Sequence, residues 1–366
     1  MPREIDLAFL GKALIENHPE GDSKTTLVTA QYDSAQTLRH TESVLRKFAA
    51  FDTLQFDVKN TRYGFQRIRT NALGTQLIHM SLCDMSDVRK HFPQHEMNPY
   101  FEVFETVKNR HDVASWHVYL LRDLRFVGDE ISARRFTGRL IGFFEDLKAE
   151  LTSPAFKRQV NNFQRVSRKN YRSLLSYIDA LFKKYSKLVV IRLDLGYRQE
   201  LCGFHEDGPM LSYDEVIGHR SLFFRSLGNH LHATISKECL VGFVWKLEFG
   251  VRKSWHYHVL VLLNGQEVRE DVTIARLMGE HWVSTTGNKG VYYNCNASKS
   301  QYKQLGIGLI DHANTALRDG LTKAATYITK TDYYVRMVAP GNGRTFGRGT
   351  MPKTSGKRRG RPRSTR

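Results

Sequence analysis

The chain has 366 residues, long enough for two ordinary domains, and its 41% hydrophobic and 25% charged content is that of a folding rather than a disordered polypeptide. Fifty-five Lys and Arg against 37 Asp and Glu give a net charge of +18, which favours a polyanionic partner, nucleic acid before membrane. Cys83, Cys202, Cys239 and Cys295 lie far apart with no C-x-x-C pair, and no long apolar stretch occurs, so a zinc ribbon, a disulfide framework, secretion and membrane spanning are not expected; reduced thiols in a cytoplasm are.

In chain order, residues 1–155 carry helix-like apolar spacing, clearest in FTGRLIGFFEDLKAEL (136–151), and no chemical motif. Support, partner binding and extra DNA contact are equally open as roles for this region. Residues 156–186 hold the basic cluster Lys157, Arg158, Arg165, Arg168, Lys169 and Arg172, expected as a helical linker with either a solvated or a phosphate-binding face. KLVVIRLDLGY (187–197) reads as a strand. Ser212-Tyr213-Asp214-Glu215 is a capping box that starts a helix ending near His230. LVGFVWKLEFG (240–250) and WHYHVLVLLNG (255–265), joined by a short basic turn, form a hairpin. A helix over about 270–282, a strand around GVYYNCN (290–296) and a last helix over about 314–335 follow. The order β-α-β-β-α-β is that of a split βαβ sandwich. The expected fold is therefore α+β: an antiparallel split-βαβ sheet with helices on one face, preceded by a mainly helical N-terminal region.

Side chains alternate along a strand, so in Trp255-His256-Tyr257-His258-Val259 the two imidazoles share a face. A turn centred on Arg252 sets Glu248 across from His256 on that same face. Two imidazoles and one carboxylate leave positions open on an octahedral Mg²⁺ or Mn²⁺, where a scissile phosphate oxygen can be polarised. His230-x-His232 ends a predicted helix, where i and i+2 do not share a face. Other metal classes fit worse: a metallo-β-lactamase needs an Asp-His where Leu260-Val261 stands, and too few residues follow His258 for an amidohydrolase barrel.

Tyr327 and Lys330 lie three apart on the last predicted helix, on neighbouring positions of one face. A tyrosine can attack phosphorus once a cation favours its phenolate or a metal activates the phosphate; Lys330 is such a cation, or a phosphate clamp. Tyr334 returns to nearly the same face, so both one nucleophile and two stay open, while Tyr333 is turned away.

His256-Tyr257-His258, Tyr327-Ile328-Thr329-Lys330 and the upstream Glu248 together resemble the HUH endonuclease superfamily, which includes rolling-circle replication initiators, relaxases and some transposases. More narrowly, residues 187–348, with WHYHVLVLLN, AATYITKTDYY and RTFGRG, look like the inovirus gene-II-type replication proteins and the YagK/YfjJ C-terminal domain proteins of bacterial prophages. The resemblance implies an HUH-like endonuclease domain over 187–340 that nicks single-stranded or supercoiled origin DNA of a phage or prophage-like element. It further implies a 5′-phosphotyrosine link and a free 3′ hydroxyl. One departure is that His258 is followed by Val-Leu-Val rather than a small residue. No P-loop motif occurs, so a host helicase would unwind and a host polymerase extend. The alternatives are a relaxase or transposase of the same superfamily, against which the late tyrosine counts, and a DNA-binding regulator that keeps the fold without catalysis.

Residues 341–366 are rich in glycine and are expected as a flexible tail, and from Arg336 onward the chain has ten basic residues and no acidic one. Within the tail, Arg358, Arg359, Arg361 and Arg363 flank Gly360 and Pro362 in a segment that resembles an AT-hook, entering an A·T-rich minor groove. A generic basic tail adding salt-sensitive affinity is the other reading, and DNA is the partner on both.

Overall fold

A computed structural model describes residues 15–20, 23–28, 30–61, 63–121, 123–205, 208–236, 238–250, 253–330 and 335–353. These fall into two compact units: one runs to residue 168 and takes in 335–338, the other comprises 169–330 and 339–353. The first contains β1 (Ile15–Glu20), β2 (Ser23–Val28), α1 (Ala30–Ala49), β3 (Asp57–Asn60), β4 (Gln66–Arg69), α2 (Ala72–Leu82), α3 (Ser86–His91), β5 (His95–Met97), α4 (Pro99–Arg110), β6 (Arg125–Phe126) and α5 (Glu130–Thr152). The division itself falls inside one long helix, α6 (Pro154–Lys184). Residues 156–184 of the stretch expected as a helical linker are part of this helix, which buries Phe156, Phe163, Leu174, Tyr177 and Leu181.

The N-terminal unit is mainly helical, as its spacing implied. In α5, Ala133, Phe136, Leu140, Phe143, Phe144, Leu147 and Leu151 are buried at helical intervals, and the Asp129 carboxylate accepts from the Ser132 N–H at 2.7 Å to cap its start. This stripe meets Phe48, Phe104 and Trp116 in one aromatic core. A small antiparallel sheet in the order β3-β4-β6 was not anticipated. Its strands are two to four residues long and mostly polar, which leaves no periodicity to read.

The second unit follows the β-α-β-β-α-β order: β7 (Lys187–Tyr197), a short β8 (Phe204–His205) and β9 (Gly208–Pro209), α7 (Tyr213–Thr234), β10 (Leu240–Gly250), β11 (Ser254–Asn264), α8 (Asp271–Thr285) and β12 (Gly290–Asn294). Then come β13 (Gly308–Asp311), α9 (Thr315–Lys330) and β15 (Phe346–Arg348); between the last two, β14 (Val335–Met337) belongs to the first unit, where it pairs with β5. All pairings in the main sheet are antiparallel, in the order β12-β7-β11-β10-β15, with β13 also on β7. The capping box forms as expected: the Ser212 hydroxyl accepts from the Glu215 N–H and the Glu215 carboxylate from the Ser212 N–H.

Helices α7 and α8 lie on one face of this sheet. Tyr257 donates its hydroxyl to the Val216 carbonyl of α7 at 3.2 Å, and its ring meets Trp282 of α8. The opposite face is also covered at one end, where Tyr177 and Leu181 of α6 close on Gly242. The reason is in β11 itself: Val259 to Leu263 is buried on both alternations, so helices on one face leave Leu260 and Leu262 uncovered.

Residues 346–348, expected as part of a flexible tail, form an edge strand instead: β15 pairs with β10 through Val244↔Arg348, Trp245↔Gly347 and Lys246↔Phe346. Its glycines serve close approach instead of flexibility. A Cβ on Gly347 would stand 2.5 Å from the Trp245 ring, and one on Gly349 would stand 2.5 Å from the Tyr177 hydroxyl. Between them, Arg348 bonds Ser173 at 2.9 Å and lies over the Tyr177 ring. Gly347→Ala is expected to cost about 1–3 kcal/mol in chemical denaturation, because the Trp245 ring is itself wedged between Arg220 and Tyr257. Equal stability of variant and parent would show that the edge is loosely packed.

Candidate metal centre

The hairpin register fixes the centre. Glu248 pairs with His256 and Lys246 with His258 across β10 and β11, and β7 brings Asp194 opposite His258 from the other side. Glu248, Lys246, His256, His258 and Asp194 therefore share one face, with Arg192 on the same side of β7 two residues before Asp194. Past His258 the same face turns apolar with Leu260 and Leu262.

One ring nitrogen of each histidine is already engaged. His256 Nδ1 lies 3.1 Å from the Ser254 carbonyl, and His258 Nδ1 lies 2.6 Å from the Asp194 carboxylate. A carbonyl can only accept, so Nδ1 of His256 is the protonated nitrogen and its Nε2 lone pair is left pointing at Glu248, 3.8 Å away. His258 presents Nε2 to the same carboxylate at 3.3 Å. Backbone strain contributes too: Ser254, whose carbonyl holds His256, has φ +49° and is fully buried at the start of β11.

Glu248, His256 and His258 each offer a ligand atom, all within 4.8 Å of one another. Metal bonds of roughly 2.0–2.2 Å to nitrogen and oxygen span nearly that distance, so small side-chain adjustments suffice. The donor set of two imidazoles and one carboxylate could hold a divalent cation with open positions left over. Asp194 does not join the ligand set; it orients His258 and raises its basicity, the part a carboxylate commonly plays behind a metal-bound histidine.

Charge in the centre is finely divided. Burial lowers the His256 imidazole to about 4, helped by the charge of His258 and opposed by Glu248. Burial alone would do the same to His258, but the Asp194 and Glu248 carboxylates overcome it and raise the group to about 9. Burial likewise opposes ionisation of Asp194 and Glu248, and the neighbouring His258 prevails, holding both well below the usual carboxylate range. Arg192 assists Asp194, and Lys246, only 1% exposed, assists Glu248. At neutral pH an imidazolium thus sits between two carboxylates where a divalent cation would replace its charge.

The sequence reading named Glu248, His256 and His258 and missed Asp194 and Lys246. Both had a visible signal, an ionisable residue within a mainly apolar strand. Tyr327 and Lys330 fall on α9, among whose residues Leu321, Ala325, Ile328 and Thr329 are buried. The backbone of α9 crosses the 305–306 loop so closely that Gly320 and Gly306 have no room for a Cβ. Tyr333, Tyr334, Arg358, Arg359, Arg361 and Arg363 lie outside the described residues. The second His-x-His serves packing: the ring of His230 stacks on that of His281 with centroids 4.3 Å apart.

An antiparallel βαββαβ sheet whose central strand presents two histidines to a carboxylate on the neighbouring strand is the architecture of an HUH-type nuclease domain. The family model of the YagK/YfjJ C-terminal domain matches residues 150–349, 200 of the 366 residues, and the chain belongs to that family. No curated protein and no solved structure matches the chain significantly. Membership supports a nuclease-type role and interaction with DNA, and no described helix is long and apolar enough to cross a membrane.

Proposed function

We propose that the protein is a site-specific DNA-nicking endonuclease that initiates rolling-circle replication of a phage or prophage-like element. The observation that carries this reading is the convergence of Glu248, His256 and His258 with the Nδ1 of each histidine already engaged. A Mg²⁺ or Mn²⁺ ion held there would supply Lewis-acid polarisation of the scissile phosphate. The protein's own groups do the rest. Tyr327 Oη bonds to phosphorus as the P–O3′ bond breaks; the phenol gives up its proton and the departing 3′ oxygen takes one up, leaving a 5′-phosphotyrosine and a free 3′ hydroxyl. Lys330 favours the phenolate or holds the phosphate, and Tyr334 is the candidate second nucleophile. Arg358, Arg359, Arg361 and Arg363 add affinity for duplex DNA flanking the site.

The test incubates wild type, Tyr327→Phe and His256→Ala with supercoiled DNA of the encoding element and Mg²⁺ or Mn²⁺, scoring relaxed circles and covalent 5′ adducts. Wild type is expected to give both products and each variant neither. An adduct that persists in Tyr327→Phe would move the nucleophile to Tyr334. DNA bound by wild type yet never cut would make the protein a regulator.

A further inference from the structure

The small sheet of the N-terminal unit has one face packed on α5 and one face open. Val58, Ile68, Gln66 and Phe126 are buried on the packed side, so the alternate residues face outward. Lys59, Arg67 and Arg125 stand in register across the three strands, Lys59↔Arg67 and Arg67↔Arg125, with Arg69 one pleat along from Arg67. Like charges directly opposite on a sheet destabilise it, and nothing in the packing of this face requires three in a row. Asp57 and Asp123 are the acids beside them, and Asp123 is already bonded to Arg125.

Two aromatic rings flank this basic row. The turn between β3 and β4, closed by the Thr61 N–H donating to the Phe65 carbonyl, has Gly64 at φ +78° and projects Tyr63, 87% exposed, and Phe65, 49% exposed. The Arg125 guanidinium lies over the Phe65 ring. On the other side of the row, Arg67, Arg69, Thr70, Thr75, His79 and Asp123 line an open cleft of about 340 Å³. Exposed rings beside a cation row meet the two chemical features of an unpaired strand at once, base faces to stack and phosphates to neutralise. A duplex offers only the second.

From these residues we infer that this face of the N-terminal unit is a binding surface for single-stranded nucleic acid, with Tyr63 and Phe65 stacking bases and Lys59, Arg67, Arg69 and Arg125 holding the backbone. It is independent of the proposed nicking chemistry, so the experiment uses full-length protein already carrying His256→Ala, which cannot cut. A fluorescent oligothymidylate is titrated over a range of salt. Lys59→Gln with Arg67→Gln and Arg125→Gln is expected to lower affinity at least tenfold and to flatten the log–log salt slope by about 2, since each phosphate contact on a single strand contributes about 0.7. Tyr63→Ala with Phe65→Ala is expected to lower affinity about 5–100-fold with the slope kept. Arg67→Lys with Arg125→Lys should keep the slope, and melting temperatures check that the variants fold. With 5-iodouracil in the oligonucleotide, crosslinks should map to residues 63–69. Unchanged affinity and slope in the folded triple variant, crosslinks confined to residues beyond 168, or a loss seen with duplex alone would overturn the assignment.

Discussion

Alanine in place of His258 is expected to abolish divalent-metal binding and to lower the stability of the metal-free protein by about 3 kcal/mol near pH 6. The imidazolium lies between Asp194 and Glu248, at 2.6 and 3.3 Å, and its side chain is 8% exposed. Removing it leaves two carboxylates facing one another, with Arg192, Lys246 and the neutral His256 among the described groups nearby. The sign with pH follows from the raised group. Its contribution is present in full below the ordinary histidine value of 6.5 and is lost as pH rises through about 9, where the folded protein gives up the proton. The difference between parent and variant in urea denaturation should therefore shrink steadily from pH 6 to pH 9.5. A difference that is flat with pH would mean that His258 is neutral in the folded protein.

Binding of Mn²⁺ should tighten about tenfold per pH unit between pH 6 and 8, about a hundredfold in all, and level off above about 9. The ion needs the neutral imidazole, so one proton leaves His258 as it binds; His256, lowered to about 4, has none to lose in this range. Calorimetry at pH 7 in buffers of different ionisation enthalpy should give close to one proton released. Asp194→Asn separates the orienting carboxylate from the ligands. It should reduce metal affinity about 10–100-fold and reduce proton release as well, because His258 then holds its proton less firmly. Unaltered affinity and proton release in Asp194→Asn would remove Asp194 from the centre.

How far the centre was legible in the sequence depended on how local its parts are. His256 and His258 are two residues apart, and Glu248 follows from a short turn, so strand alternation and a single guess of register brought the three together. Asp194 reaches His258 only through the pairing of β7 with β11, two strands 64 residues apart, and no pattern in either strand states that register. The capping box at Ser212 and the β-branched run 187–197 were legible because their determinants lie inside the element. The edge strand β15 was not, because its glycines answer to the rings of Trp245 and Tyr177, which a reading of 341–366 alone cannot see. The N-terminal sheet escaped for another reason: strands of two to four residues whose outward face carries charge leave no hydrophobic period to read.

The late position of β15 bears on how the protein comes to be folded. The β10–β11 hairpin that carries Glu248, His256 and His258 is local and can form as soon as it is made, whereas the partner for the outer edge of β10 is about a hundred residues further along. During synthesis that edge waits about 5–20 s for Phe346–Arg348, with its backbone donors and acceptors open to any other extended chain. A chain ending before residue 346 never closes it. Premature termination or proteolysis there is expected to yield a protein whose β10–β11 hairpin is intact and which aggregates through the open edge.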